Sequence, residues 1–116
     1  MKREIKFRAW DIEEGVMFDP LHHNHRDFDE ILARDYRYSV MQFTGLTDKN
    51  GKDVFEGDVI NPIMMNGTIT RGTVIFHNGS FMARQIGAEW LIDDLYRYDN
   101  TEVVGNIWEN PELLNS

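Results

Sequence analysis

The run Thr68 to His77 (TITRGTVIFH), followed by Asn78-Gly79 and then Ser80 to Ile86 (SFMARQI), decides the fold. The first arm is rich in β-branched and aromatic residues, and Val74 and Phe76 fall on one face of a period-two pattern. Asn-Gly tolerates the positive φ that both central positions of a two-residue hairpin require. The segment therefore predicts two antiparallel strands joined by a tight turn.

The same signals recur on either side. Toward the N-terminus, Asn66-Gly67 is a second turn, and Val59 to Met65 a strand in which Pro62 marks an edge position or a bulge. Glu56-Gly57-Asp58 is a tight turn with Asp58 as its capping oxygen, and Asp48-Lys49-Asn50-Gly51 is another. Tyr36 to Phe43 reads as a strand with Tyr36, Tyr38 and Val40 on one face and Met41 and Phe43 on the other. Ile5, Phe7 and Ala9 alternate with Lys6, Arg8 and Trp10. This strand turns through Asp11 to Gly15 and returns at Val16 to Phe18. Leu21 to Asp27 reads as loop, and Asp27 to Asp35 as a short helix with Asp27 at its N-cap.

Toward the C-terminus, Gly87 to Asn100 reads as a loop with a helical turn. Thr101 to Trp108 is a last strand, with Val103, Gly105 and Ile107 on one face and Val104 and Trp108 on the other. Asn110-Pro111 ends it, and Pro111 opens one helical turn. The expected class is all-β, a small antiparallel barrel or sandwich, because closing short strands on themselves removes exposed edges. Phe55, Val59, Val74, Phe76, Val103 and Ile107 are the alternating apolar set expected to fill it.

The chain has 116 residues, enough for one domain that puts roughly two-thirds of its unfolded surface out of water. Twelve Lys and Arg stand against 20 Asp and Glu, a net charge of -8, which disfavours duplex DNA as a partner. There are no cysteines, so disulfides, thiolate zinc sites and thiol catalysis are excluded. No apolar run approaches the roughly 18 residues of a membrane span, and Met1 to Trp10 does not read as a secretory signal, so the expected location is cytoplasmic.

Candidate chemistry is sparse. His22, His23 and His25 precede Asp27 and Asp29, and in an extended chain His23 and His25 share a face that can grip zinc or nickel. A metal-dependent enzyme built on these histidines and the nearby carboxylates is thus a further alternative, but a solvated loop is the commoner reading, since no second clustered pair completes four ligands. Asp93-Asp94 and Glu56/Asp58 are the paired carboxylates. Neighbours on a strand point to opposite faces, and Gly57 makes the second pair a turn. No Gly-x-Ser-x-Gly or Gly-rich phosphate loop occurs, and nothing implies a cofactor. Trp10, Tyr38 and Trp90, with Arg34, Arg37, Arg71, Arg84 and Arg97, suggest single-stranded nucleic acid as an alternative partner. The acidic neighbours Asp35, Glu89, Asp94 and Asp99 argue against it.

Several blocks, taken in order, carry a family resemblance: Lys6-Phe7-Arg8-Ala9-Trp10-Asp11, Met41 to Leu46, Asp48 to Lys52, Phe55-Glu56-Gly57-Asp58-Val59-Ile60, Gly72 to Phe76, and Glu102 to Leu114. From about Lys6 to Leu114 the chain resembles the YopX family of bacteriophage and prophage proteins. The motif residues are Phe7, Trp10, Gly45, Leu46, Phe55, Glu56, Gly57, Asp58, Gly72, Val74, Phe76, Gly105, Asn106, Ile107, Asn110 and Pro111. The resemblance implies a small SH3-type β-barrel over residues 40–116. Residues 1–39 form an N-terminal hairpin with a variable loop and short helix, and the two parts together make one domain. It implies no catalytic residue. The motif residues read as turns and core, so the expectation is a non-enzymatic, phage-borne accessory protein that binds a protein partner or forms a homo-oligomer.

Overall fold

The computed structural model describes residues 4–21, 28–65, 68–85, 91–92 and 101–115. Its elements are β1 (Phe7–Asp11), β2 (Val16–Phe18), α1 (Phe28–Ala33), β3 (Tyr38–Thr47), β4 (Asp53–Phe55), β5 (Asp58–Met65), β6 (Thr68–His77), β7 (Ser80–Gln85), β8 (Leu91–Ile92), β9 (Glu102–Asn106) and a C-terminal 3-10 helix (Pro111–Asn115). The protein is mainly β, as its alternation predicts. The strands form two sheets, ordered β2-β1-β3-β4 and β8-β7-β6-β5-β9. The chain divides into two compact units, Met1–Phe43 and Thr44–Ser116, with β3 running through the boundary.

In the first unit β1 pairs antiparallel with both β2 and β3, in the registers Ala9↔Phe18 and Ala9↔Val40. The β1–β2 turn forms because Asp11 closes it. Its carbonyl accepts the Gly15 N–H at 2.7 Å, and its Oδ1 accepts the N–H groups of Glu13 and Glu14 at 3.0 Å each. Gly15, at φ +69°, takes the left-handed conformation that the turn requires. Ala9 and Tyr38 are buried on the face of β1 that also carries Phe7, whose ring lies 5.3 Å from Phe28 of α1. Ile31 of the same helix is completely buried, and the Phe18 ring meets Tyr38 edge-on at 5.6 Å.

Helix α1 forms within the expected span. Its anticipated N-cap, Asp27, lies outside the described residues. Tyr36 departs from expectation. It is not in the strand but in the turn before it, because the Arg34 carbonyl accepts the N–H groups of both Arg37 and Tyr38, which coils residues 35–37. The strand begins at Tyr38 and leaves Tyr36 72% exposed.

In the second unit the Asp48–Gly51 turn forms as expected, with Gly51 at φ +79° and the Asp48 N–H bonded to the Lys52 carbonyl. Gly57, at φ +85°, turns β4 into β5; its N–H bonds the Val74 carbonyl and its carbonyl accepts the Ile107 N–H. Of the two readings of Pro62, the bulge holds. The β5–β6 register shifts between Ile60 and Ile63, and β5 lies inside the sheet, flanked by β6 and β9. A residue without an N–H fits an interior strand where the ladder is already interrupted. Asn78 and Gly79, at φ +49° and +83°, form the hairpin turn that sets the β6–β7 register from His77↔Ser80 to Gly72↔Gln85. Asn66-Gly67 lies outside the described residues.

The core of this unit is Val54, Ile60, Val74, Ala83 and Val103, with Leu46 packed against it. Each fully buried aliphatic side chain of this size contributes about 1.5–3 kcal/mol. Two expectations fail here. Leu91 and Ile92, expected in a loop with a helical turn, pair as a strand with β7. Phe76, expected in the core, shares the face of Val74 and pairs with the buried Phe81 beside the turn, yet is 54% exposed. Val59, Val74 and Val103 are buried as expected, whereas Phe55 and Ile107 are half-buried.

The last strand also stops early, at Asn106. The Asn106 Oδ1 accepts the N–H groups of Trp108 and Glu109, turning the chain where alternation predicted two more strand residues. The Asn106 N–H in turn donates to Asn110 Oδ1 at 3.2 Å. The 3-10 helix folds back so that a Cβ on Gly105 would lie 2.5 Å from Asn110 Oδ1 and 2.8 Å from Leu113 Cδ1. Because Asn110 is held by its hydrogen bond, Gly105→Ala should destabilise the protein by about 1–3 kcal/mol. Urea denaturation checks this, and Asn110→Ala in the same chain should recover part of the loss; equal stability of Gly105→Ala and the parent would refute the close approach.

Candidate functional site

Three buried aspartates concentrate the polar chemistry of the described residues: Asp11, Asp48 and Asp58. Each sits at a turn, and each accepts backbone N–H groups. Asp48 Oδ1 accepts from Asn50 and Lys52 at 2.9 Å, while its Oδ2 accepts from Val103, 55 residues away, also at 2.9 Å. The neighbouring Lys49 N–H donates to the Thr101 carbonyl, so the β3–β4 turn is tied twice to β9. Asp58 Oδ2 accepts the Phe55 N–H at 2.8 Å, the capping role expected of it. Asp11 uses Oδ1 on its own turn and Oδ2 on the Arg37 guanidinium at 3.1 Å; Arg37 also reaches Glu13 at 3.0 Å.

The electrostatics follow. Burial works to raise the Asp48 carboxyl, but the N–H groups of Val103, Lys52 and Asn50 and the charge of Lys52 outweigh it and hold the group below the usual carboxylate range. Burial likewise opposes ionisation of Asp11, and the Glu14 N–H and Arg37 overcome it. The hydrogen bond that Arg37 donates to Asp11 raises Arg37 in return. Carboxylates held ionised, with lone pairs engaged by their own backbone, are suited to fixing turns and poorly suited to shuttling protons.

The motif residues fall in the same pattern. Gly45 (φ +88°), Gly57, Gly72 and Gly105 lie at a mid-strand interruption, a turn, an inter-strand position opposite Ile60 and a close approach. Asn106, Asn110 and Pro111 build the C-terminal lock, and Leu46 and Val74 belong to the core. Phe7 packs on Phe28, and Trp10 is half-buried opposite Met17 and Ser39. Glu56 is half-buried, and Asp58 is buried and accepts the Phe55 N–H. Phe76 is a large apolar motif side chain that stands open.

His22, His23 and His25, Asp93-Asp94, Trp90 and Arg97 lie outside the described residues. Among the described residues no three His, Asp or Glu side chains group to hold a metal ion. Tyr38, expected as an exposed stacking platform, is buried against Phe18, with the Arg37 guanidinium 5.2 Å from its ring centroid. Asp48 was legible from its sequence only as a turn former. Its second oxygen serves a strand 55 residues later, and nothing local signals that.

Comparison with known proteins agrees with the fold. A family model described as YopX protein matches residues 20–115, leaving the Lys6–Asp11 block outside the match. The crystal structure of protein EF1440 from Enterococcus faecalis is similar, with 27% identity over 97% of this chain and 99% of that one and a TM-score of 0.66. No curated protein matches the chain significantly.

Asp48 yields a pH prediction. Its folded-state value lies below its unfolded one, so its contribution is complete above the unfolded carboxylate range and fades as the pH falls through it. Asp48→Asn sets an amide N–H against a backbone N–H and should cost about 2–3 kcal/mol at neutral pH. Denaturation from pH 7 to 3 should show the gap between parent and variant closing as the pH falls; a constant gap would show that the charge is not what matters.

Proposed function

The chain belongs to the YopX protein family, and on that premise we propose that it is a binding module, working through contact with another protein or with further copies of itself rather than through catalysis. Its expected setting is a phage or prophage accessory role in the cytoplasm of a bacterial host.

One observation carries the reading. Among the motif residues, Asp58, Asn106 and Asn110 are engaged in hydrogen bonds within the chain, whereas the apolar Phe76 is left open. Phe76 meets Phe81 at 5.0 Å, edge to face, and Phe81 is buried. The pair thus presents one anchored ring and one accessible ring at the hairpin end, the form in which aromatic side chains contribute most at interfaces. From Gly72 to Ala83 the sequence has no Asp, Glu, Lys or Arg. In a chain of net charge -8, such a stretch is where a second acidic copy meets least repulsion. Nucleic acid remains the weaker reading, because Tyr38 is buried and Arg37 is neutralised between Asp11 and Glu13.

Light scattering on a sizing column and affinity capture from host lysate test the proposal. The parent should assemble or retain a protein, and Phe76→Ser should lose that contact while keeping its unfolding free energy within about 0.5 kcal/mol, as an exposed substitution does. A strict monomer that retains nothing would sink it.

A further inference from the structure

A second surface, remote in sequence from Phe76, is of a different kind. Leu32 at the end of α1 is 49% exposed, and Tyr36, 72% exposed, is the most open of the large hydrophobic side chains among the described residues. Ile12, 45% exposed, is brought to the same turn, where its N–H donates to the carbonyl of Arg37, the residue after Tyr36, at 2.8 Å. The backbone beneath Tyr36 is held rather than loose. Arg34 accepts the N–H groups of Arg37 and Tyr38, and the Arg37 side chain is clamped by Asp11 and Glu13. An aromatic ring displayed on a fixed turn loses little conformational freedom when covered.

Among the described residues, the exposed charged side chains on α1 and the α1–β3 turn, and next to Ile12, are acidic. Asp29 and Glu30 on α1, Asp35 beside Tyr36, and Glu14 beyond Ile12 are all exposed. Of the two arginines in this stretch, Arg37 is neutralised and Arg34 is half-buried. A second copy would bring the same carboxylates, and a nucleic acid would bring phosphates; both are repelled. A cationic partner with an apolar side chain fits both features, with the ring as anchor and the carboxylates as rim.

We infer that the α1–β3 connection, with Leu32, Tyr36 and Ile12 at its centre, docks a lysine- or arginine-rich protein segment bearing an apolar anchor. This rests on the binding-module reading and deepens it by naming a site and a partner chemistry.

The test uses the full chain and a fluorescein-labelled peptide of alternating lysine and leucine, followed by anisotropy at low and high salt. Oligo-lysine, a glutamate–leucine peptide and a mixed single-stranded oligonucleotide serve as comparisons. The lysine–leucine peptide should bind best, and more weakly at high salt. Tyr36→Ala should weaken it about tenfold, in line with the loss of an interface anchor. Asp29→Asn with Glu30→Gln and Asp35→Asn should weaken it and flatten the salt dependence. Phe76→Ser should bind the peptide as the parent does. Equal binding by Tyr36→Ala, a preference for the oligonucleotide, or no binding of the cationic peptide would each overturn the inference. If the Phe76 surface still retains a partner in that event, the binding-module reading stands alone; if neither surface binds, both fall.

Discussion

The second unit depends on one carboxylate. Asp48 spends one oxygen on the N–H groups of its own turn and the other on Val103 of β9, so a local loop and a distant strand are fixed by the same buried charge. With Lys49 bonded to Thr101, the β3–β4 connection is thereby secured to the strand that flanks β5. A hydrogen bond to an ionised acceptor is about twice as strong as a neutral one, and burial sharpens the difference. Asp11 repeats the arrangement in the first unit, with Arg37 in place of the distant N–H. Both aspartates are lowered for the same reason: donors surround a group that burial alone would have neutralised.

The C-terminus uses neutral groups to the same end. Asn106 and Asn110 exchange backbone and side-chain hydrogen bonds, and the resulting turn brings Leu113 against Gly105. Two large apolar side chains nevertheless stand open, Phe76 on a sheet face and Tyr36 on a turn. The two surfaces differ in charge, one in an uncharged stretch and the other among carboxylates, so they suit different partners.

Much of the local structure was legible. Asn78-Gly79, Asp48–Gly51 and Gly57 form the turns that their residue types favour, because positive φ is a property of one residue and needs no distant support. The strand identity of β6 and β7 and the all-β class followed from alternation in the same way. Tyr36 and Phe76 were misread for related reasons. Alternation says which face of a strand a side chain takes. It does not say where the strand starts, which Arg34 decides, nor whether another layer extends far enough to cover that face. Leu91-Ile92 was misread because a two-residue strand carries no period at all, and exists only by pairing with β7.

By itself, then, the sequence determined the turns, the strand type and the acidic charge, all of which reside in single residues or in neighbours a few positions apart. Only the tertiary structure decided that Asp48 reaches Val103, that Gly105 has no room for a methyl group, and that Phe76 and Tyr36 lie open. Those facts depend on which segments meet in space, and burial and hydrogen bonding between residues far apart in the chain leave no pattern within either segment.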